Sequence, residues 1–169
     1  QLIGMKMSPD APYAGLVERL QNDCTRLTHL VKSTLTFSKP VEYQIQPVDL
    51  ADLIPAILDK WDPRMKKLNI TSSFSAPSER LLVKADPRAI EQVFVNLISN
   101  AIKFTPAKGR IEVEVVKDSE YLKVMVRDSG VGISPENQQK LFRIDSNPST
   151  PGTNEEEGTG LGLILCKEF

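Results

Sequence analysis

Asn96-Leu97-Ile98-Ser99-Asn100-Ala101-Ile102-Lys103-Phe104-Thr105 is the stretch on which the fold turns. Steps of four and three put Asn96, Asn100 and Lys103 on one face of a helix. Asparagine is a poor helix former because its side chain competes for backbone hydrogen bonds. Two of them nevertheless stand within the most apolar helix of the chain. Amide oxygens are hard ligands suited to Mg²⁺, and a neighbouring lysine suits phosphate. Taken alone, two asparagines that merely decorate a surface would read the same way.

Working outward, Asp86-Pro87 starts this helix with a capping carboxylate and a proline at the first helical position. The helix runs to about Lys103 and is expected to bury Ile90, Val93, Phe94, Leu97, Ile98 and Ala101. After a turn at Pro106 and Gly109, Ile111, Val113 and Val115 alternate with charges, as do Leu122, Val124 and Val126. These read as an antiparallel pair joined around Asp118-Ser119, with one solvated face and one face under helices. Upstream, Val41, Tyr43 and Ile45 alternate like an exposed strand. Asp49 then caps an amphipathic helix bearing Leu50, Leu53, Ile54, Ile57, Leu58 and Trp61. Ile70–Phe74 and Arg80–Lys84 read as short strands. Downstream lie a short helix near Pro135–Leu141 and a loop from about Arg143 to Glu157, too long for a simple connection. The fold class is α+β.

Two further motifs complete the pattern. Asp128-Ser129-Gly130-Val131-Gly132 follows directly on a strand. It could be a tight bend and nothing more. A carboxylate there could also accept from an adenine amino group, with glycines letting backbone approach a ligand. Gly158-Thr159-Gly160-Leu161-Gly162-Leu163 leads into a helix, and such loops bind phosphates through free backbone N–H groups. It is no dinucleotide fingerprint and lacks the lysine of a P-loop.

In this order and spacing the three segments resemble the ATP-binding domain of bacterial sensor histidine kinases. Asn96–Thr105 looks like that family's N box and Asp128–Gly132 like its first glycine box. Leu141-Phe142 looks like its F box and Gly158–Leu163 like its second glycine box. The resemblance implies a two-layer α/β sandwich shared with gyrase and chaperone ATPases, and Mg²⁺ and ATP as cofactors. By the same resemblance Asp128 would bind the adenine amino group, and Asn100 with help from Asn96 would hold Mg²⁺. Lys103 would contact phosphate and Phe104 would lie against the nucleotide. Gly130, Gly132, Gly158, Gly160 and Gly162 would admit the nucleotide, Thr159 and Leu161 would line the site, and Phe142 would belong to it. Residues 134–157 would form a lid over ATP.

Residues 1–40 read as a different unit from 41–169. From about Ala14 to Ser38, Val17, Leu20, Cys24, Leu27 and Val31 form a heptad-like seam between Pro12 and Pro40. A helix of about 25 residues spans roughly 37 Å, longer than a small domain needs. It resembles the second helix of the family's dimerisation hairpin, which implies a homodimer and a response-regulator receiver domain as partner. The acceptor histidine is missing: His29 is followed by Leu30-Val31-Lys32, without the acid and proline that follow the family's acceptor. We expect an ordinary exposed residue there and no catalytic residue in this chain. The sequence is expected to be a fragment, with the acceptor upstream and further strands after Phe169.

Composition bounds the alternatives. In 169 residues, 21 basic against 22 acidic side chains give a charge of −1, which gives no support to nucleic-acid binding through a broad basic face. No stretch approaches the roughly 20 apolar residues of a membrane span, and Gln1 opens no signal peptide. Cys24 and Cys166 have no partner at metal-binding spacing, so reduced thiols and a cytoplasmic location are expected. Asp145–Glu157 carries four acids and no base, leaving Lys140 and Arg143 as the lid's candidates for phosphate. ATP hydrolases of the superfamily resemble one another in a glutamate base one turn before the Mg²⁺ asparagine. This chain has Asn96 there, and an amide cannot take a proton at neutral pH. The competing readings are such an ATPase, a serine kinase of the same superfamily, or a non-catalytic nucleotide-sensing dimerisation module.

Overall fold

The computed structural model describes residues 42–143, 152–153 and 160–169. The chain divides into two compact units, Gln1–Val41 and Glu42–Phe169. The expected helix from Ala14 to Ser38, with its seam and His29, lies outside the described residues.

In the second unit a short strand β1 (Gln46–Asp49) leads straight into helix α1 (Leu50–Lys67). Asp49 caps that helix as expected, accepting from Ala51 N at 3.0 Å. The same oxygen accepts from Leu81 N at 3.2 Å, tying the helix start to a segment more than thirty residues away. Pro55 and Pro63 lie inside α1. Each interior proline costs about 3 kcal/mol. Burial of Leu50, Ile54, Ile57, Leu58 and Met65 contributes about 1.5–3 kcal/mol apiece, so the helix persists. Asn69, at φ +55°, ends it in the left-handed region that asparagine tolerates.

Two sheets carry the helices. Strand β3 (Leu82–Ala85) pairs antiparallel with β1, Val48 opposite Val83. Strands β2 (Thr71–Ser75), β4 (Arg110–Asp118) and β5 (Tyr121–Asp128) form the other, in the order β2-β4-β5. β2 runs parallel to β4, and β4 antiparallel to β5. Helix α2 (Pro87–Phe104) lies on the way from β3 to β4. Asp86 caps it as expected, Oδ1 accepting from Arg88 N and Ala89 N. Ile111, Val113 and Val115 are buried in one core with Phe94, Ile98, Ala101 and Ile102 of α2 and the apolar face of α1. Glu112, Glu114 and Arg127 alternate to the other face, where Arg127 pairs with Glu114 at 2.6 Å. This is the expected two-layer α+β architecture. Short helices α3 (Pro135–Gln138) and α4 (Gly162–Glu168) complete the described elements.

Several boundaries differ from expectation for physical reasons. Of the strand expected over Val41, Tyr43 and Ile45, Val41 lies outside the described residues and residues 42–45 form no strand: Gln44 N donates to Asp86 Oδ2 at 2.8 Å instead of entering a ladder, and β1 begins at Gln46. β3 begins at Leu82 because the Leu81 N–H belongs to Asp49 and the Leu81 carbonyl accepts from Leu50 N. Ile70 N closes onto Met65 O, so β2 starts one residue later. The β4–β5 turn has Ser119-Glu120 at its tip, since Asp118 pairs with Tyr121. α3 stops at Gln138, short of Leu141. Val93 and Leu97, expected in the core, are half-buried, while Ile102 is fully buried. Val93 lies under α4, where its carbonyl accepts from the Cys166 thiol.

Candidate functional site

The C-terminal end of α2 gathers the site. A helix leaves its last carbonyls without partners inside the helix. Here the cap residue and two remote segments supply them. Thr105 N and Oγ1 both donate to Ala101 O, and Thr105 is buried. Val131 N donates to Phe104 O at 3.2 Å. Thr153 donates to Lys103 O through both its N–H and its hydroxyl, each at 3.0 Å. The DxGxG turn and one point of the expected lid are thereby fixed to the helix bearing Asn96, Asn100 and Lys103. All three of those side chains are half-buried. Lys103 Nζ stands 4.7 Å from the centre of the Phe104 ring, a cation–π contact.

Asp128 ends β5, and its Oδ1 accepts from Gly130 N at 2.8 Å, closing a local turn. Asp128 is exposed, so its second oxygen has room for a donor from outside the chain. Gly130 is required here. A β-carbon on it would sit 2.5 Å from Phe104 O and against Asp128 Oδ1. Val131 and Ile133 beside it are exposed apolar side chains. An exposed carboxylate next to exposed aliphatic surface suits a flat apolar ring that carries an amino group.

The third motif is described from Gly160, which has φ +70°. Leu161 precedes α4 without a side-chain cap, and the Gly162 carbonyl accepts from Asn96 Nδ2 at 3.1 Å. Asn96 Oδ1 in turn accepts from Gln92 Nε2 at 2.9 Å. Cys166, further along α4, is half-buried, and burial pushes its thiol above the ordinary range, opposed by a hydrogen bond with Asn96. Phe142 is exposed, with Lys167 Nζ 5.9 Å from its ring centre. Asp86, at the other end of α2, is held below the ordinary carboxylate value. The main cause is the backbone hydrogen bond from Gln44, followed by burial acting the other way and by the bonds from Ala89 and Arg88.

Lys103, Phe104, Asp128 and Gly130 thus come together at one helix end, Asn100 and Asn96 lie further back on the same helix, and Gly162 is joined to Asn96. Gly132, at φ +70°, continues the turn. Gly158 and Thr159 lie outside the described residues, as does most of the acidic loop. Lys140 is paired with Glu136 at 2.6 Å. Sequence reasoning missed Gln92, although it stands one helical turn before Asn96 in a ladder of amides at steps of four. It also missed Thr153, for which no local signal exists.

Comparison with known proteins agrees with this geometry. Residues 85–169 match the family described as histidine kinase-, DNA gyrase B-, and HSP90-like ATPase. The chain belongs to this family. Within that ATPase family it is similar to histidine kinase P4 of Formosa agariphila, 32% identical over 89% of this chain but 12% of that protein. It is also similar to the adaptive-response sensory kinase SasA of Synechocystis, 32% identical over 85% of this chain and 38% of SasA. The chain therefore spans well under half the length of these relatives. Among solved structures, the catalytic domain of histidine kinase ThkA superposes with a TM-score of 0.65 at 32% identity, covering 74% of this chain and 78% of that one. The same kinase in complex with response regulator TrrA gives 0.73 at 27% identity, covering 99% and 47%. The ATPase fold and the family's kinase branch are common to all of these.

Proposed function

We propose that this chain is the ATP-binding catalytic part of a two-component protein histidine kinase. The observation that carries the reading is the docking of the Asp128 turn onto the carbonyl of Phe104, which puts a ring-binding acid beside a face of amides and a lysine. In this reading Asp128 accepts from the adenine amino group and Val131 and Ile133 offer apolar contact. Lys103 neutralises phosphate, Phe104 steadies both the lysine and the nucleotide, and Gly130, Gly132, Gly158, Gly160 and Gly162 leave room for backbone approach. Thr159, Leu161 and Phe142 line the site.

The donor set fits Mg²⁺. Among the described residues no group of three or more His, Cys, Asp or Glu side chains could hold a metal. The amide oxygens of Asn100 and Asn96, one turn apart, are hard neutral ligands of the kind that share such a cation with phosphates. When bound, Mg²⁺ neutralises charge on the transferring phosphoryl group. In this reading the chain's residues orient the nucleotide, and the position one turn before Asn100 supplies no general base. Asn96 cannot take a proton: its Nδ2 donates to Gly162 O, and its Oδ1 accepts from Gln92 with one lone pair, leaving the other for a cation. Transfer to an imidazole is therefore favoured over hydrolysis.

The acceptor histidine belongs outside these residues, and His29 is not it. The parent is a cytoplasmic-facing homodimer joined through the helical hairpin. Its phosphoryl group passes to a response-regulator receiver domain, the class of partner seen with ThkA. No helix among the described residues is long and apolar enough to cross a membrane. Calorimetric titration with Mg-ATP tests the reading. Binding is expected, and Asp128→Asn, which turns an acceptor into a donor facing the amino group, is expected to abolish it. Equal affinity in the two proteins would overturn the assignment of Asp128.

A further inference from the structure

The Gly162 carbonyl can only accept a hydrogen bond, and that single fact fixes two side-chain amides in turn. Asn96 must present Nδ2 to Gly162, at 3.1 Å. Its oxygen then points toward Gln92, which must present Nε2, at 2.9 Å. Flipping either amide would set two acceptors or two donors face to face. Gln92 is exposed and touches neither the Asp128 turn nor Lys103 in any bond described above, so it has no direct part in the proposed nucleotide site.

We propose that Gln92 is a positioning residue: by locking the amide of Asn96 it holds the start of α4, with its glycine-rich approach, against the helix that carries Asn100 and Lys103. The inference rests on the nucleotide-binding reading for its consequence, but the positioning itself is a property of the ligand-free protein. The relay explains why Asn96 differs in role from Asn100. One lone pair of its oxygen is committed to Gln92, and its nitrogen is committed to Gly162. Cys166 reports on the same contact: it lies on α4, is half-buried, and its thiol donates to Val93 O on α2 at 3.7 Å. A loosened α4 would uncover that thiol.

The test uses the full 169-residue chain. Iodoacetamide alkylation of Cys166 is followed by peptide mass spectrometry, which separates it from Cys24, and Mg-ATP affinity is measured by calorimetry. Gln92→Glu sets a carboxylate against the Asn96 oxygen, and Asn96→Asp removes the donor to Gly162. Both are expected to speed alkylation of Cys166 in the absence of nucleotide by roughly three- to ten-fold, and Gln92→Glu, which leaves every proposed ligand-contacting residue in place, is expected to weaken Mg-ATP binding by a similar factor. Gln92→Lys restores a donor at similar reach and is expected to keep wild-type values, which a loss of generic helix packing would not allow. Circular dichroism confirms folding of each variant before it is scored. Unchanged Cys166 alkylation in both Gln92→Glu and Asn96→Asp would overturn the proposal, as would Gln92→Lys behaving like Gln92→Glu. Wild-type protein that binds no Mg-ATP while Cys166 responds as expected would overturn the nucleotide-binding reading and leave the positioning role standing.

Discussion

Gly162 and Gly130 are both glycines of the proposed site, yet they are glycines for opposite reasons. A β-carbon on Gly162 would meet nothing closer than Asn96 Cγ at 3.6 Å, an ordinary contact, so the chain itself does not need glycine there. Gly162→Ala should therefore raise stability by about 0.5–1 kcal/mol, as alanine replaces glycine in a helix. It should at the same time weaken Mg-ATP binding if the open space serves the ligand. Urea midpoints and calorimetric titration of the same protein check both signs, and unchanged affinity would show that the space is not used. Gly130→Ala forces a clash with Phe104 O and should lower both stability and affinity. Asp86 gives a pH dependence at the same scale. Its carboxyl is depressed below the ordinary value of 3.8, chiefly by Gln44 N. A depressed carboxylate contributes stability that is full above its unfolded value and is lost as pH falls through its folded value. Asp86→Asn should flatten that part of the acid limb of a stability–pH curve, followed by denaturant midpoints from about pH 6 down to about pH 2.

At the scale of elements, the caps and the amphipathic faces of α1 and α2 follow from local sequence. Asp49 and Asp86-Pro87 stand where the helices begin, and the alternation of Ile111, Val113 and Val115 marks the buried face of β4. Which apolar residues of α2 reach the core was less legible. Periodicity admits a wide stripe, and the stripe is divided between the sheet on one side and α4 on the other. Ile102 is fully buried against the sheet, whereas Val93 is half-buried under α4. Ile102→Ala is expected to cost about 2–5 kcal/mol and Val93→Ala clearly less. Thermal unfolding of the two variants measures the difference, and equal losses would contradict the division of the helix face described here.

The whole molecule joins a described α/β unit to an N-terminal unit whose seam and single histidine are known from sequence. If the acceptor lies outside these residues, the chain should bind Mg-ATP without phosphorylating itself. His29→Ala should then leave the result unchanged. Incubation with γ-labelled ATP checks this: acid-labile label on wild type that disappears in His29→Ala would make His29 the acceptor after all. Thr153 shows what only the assembled unit supplies. It lies in a loop otherwise rich in acid, yet its N–H and hydroxyl close the end of α2.

The sequence by itself determined the helices of the described residues, the β4–β5 hairpin and the α+β class, because caps, turns and periodicity are short-range signals, and its motifs carried the resemblance to the family. The tertiary structure alone decided that β2 lies parallel to β4 and that Leu81 belongs to Asp49. It also decided that Asn96 holds Gly162, and that Val131 and Thr153 satisfy the carbonyls at the end of α2. Each of these is a hydrogen bond between residues far apart in the chain. A backbone group must be satisfied once it leaves water, but its own neighbourhood in the sequence does not say which distant partner will do so.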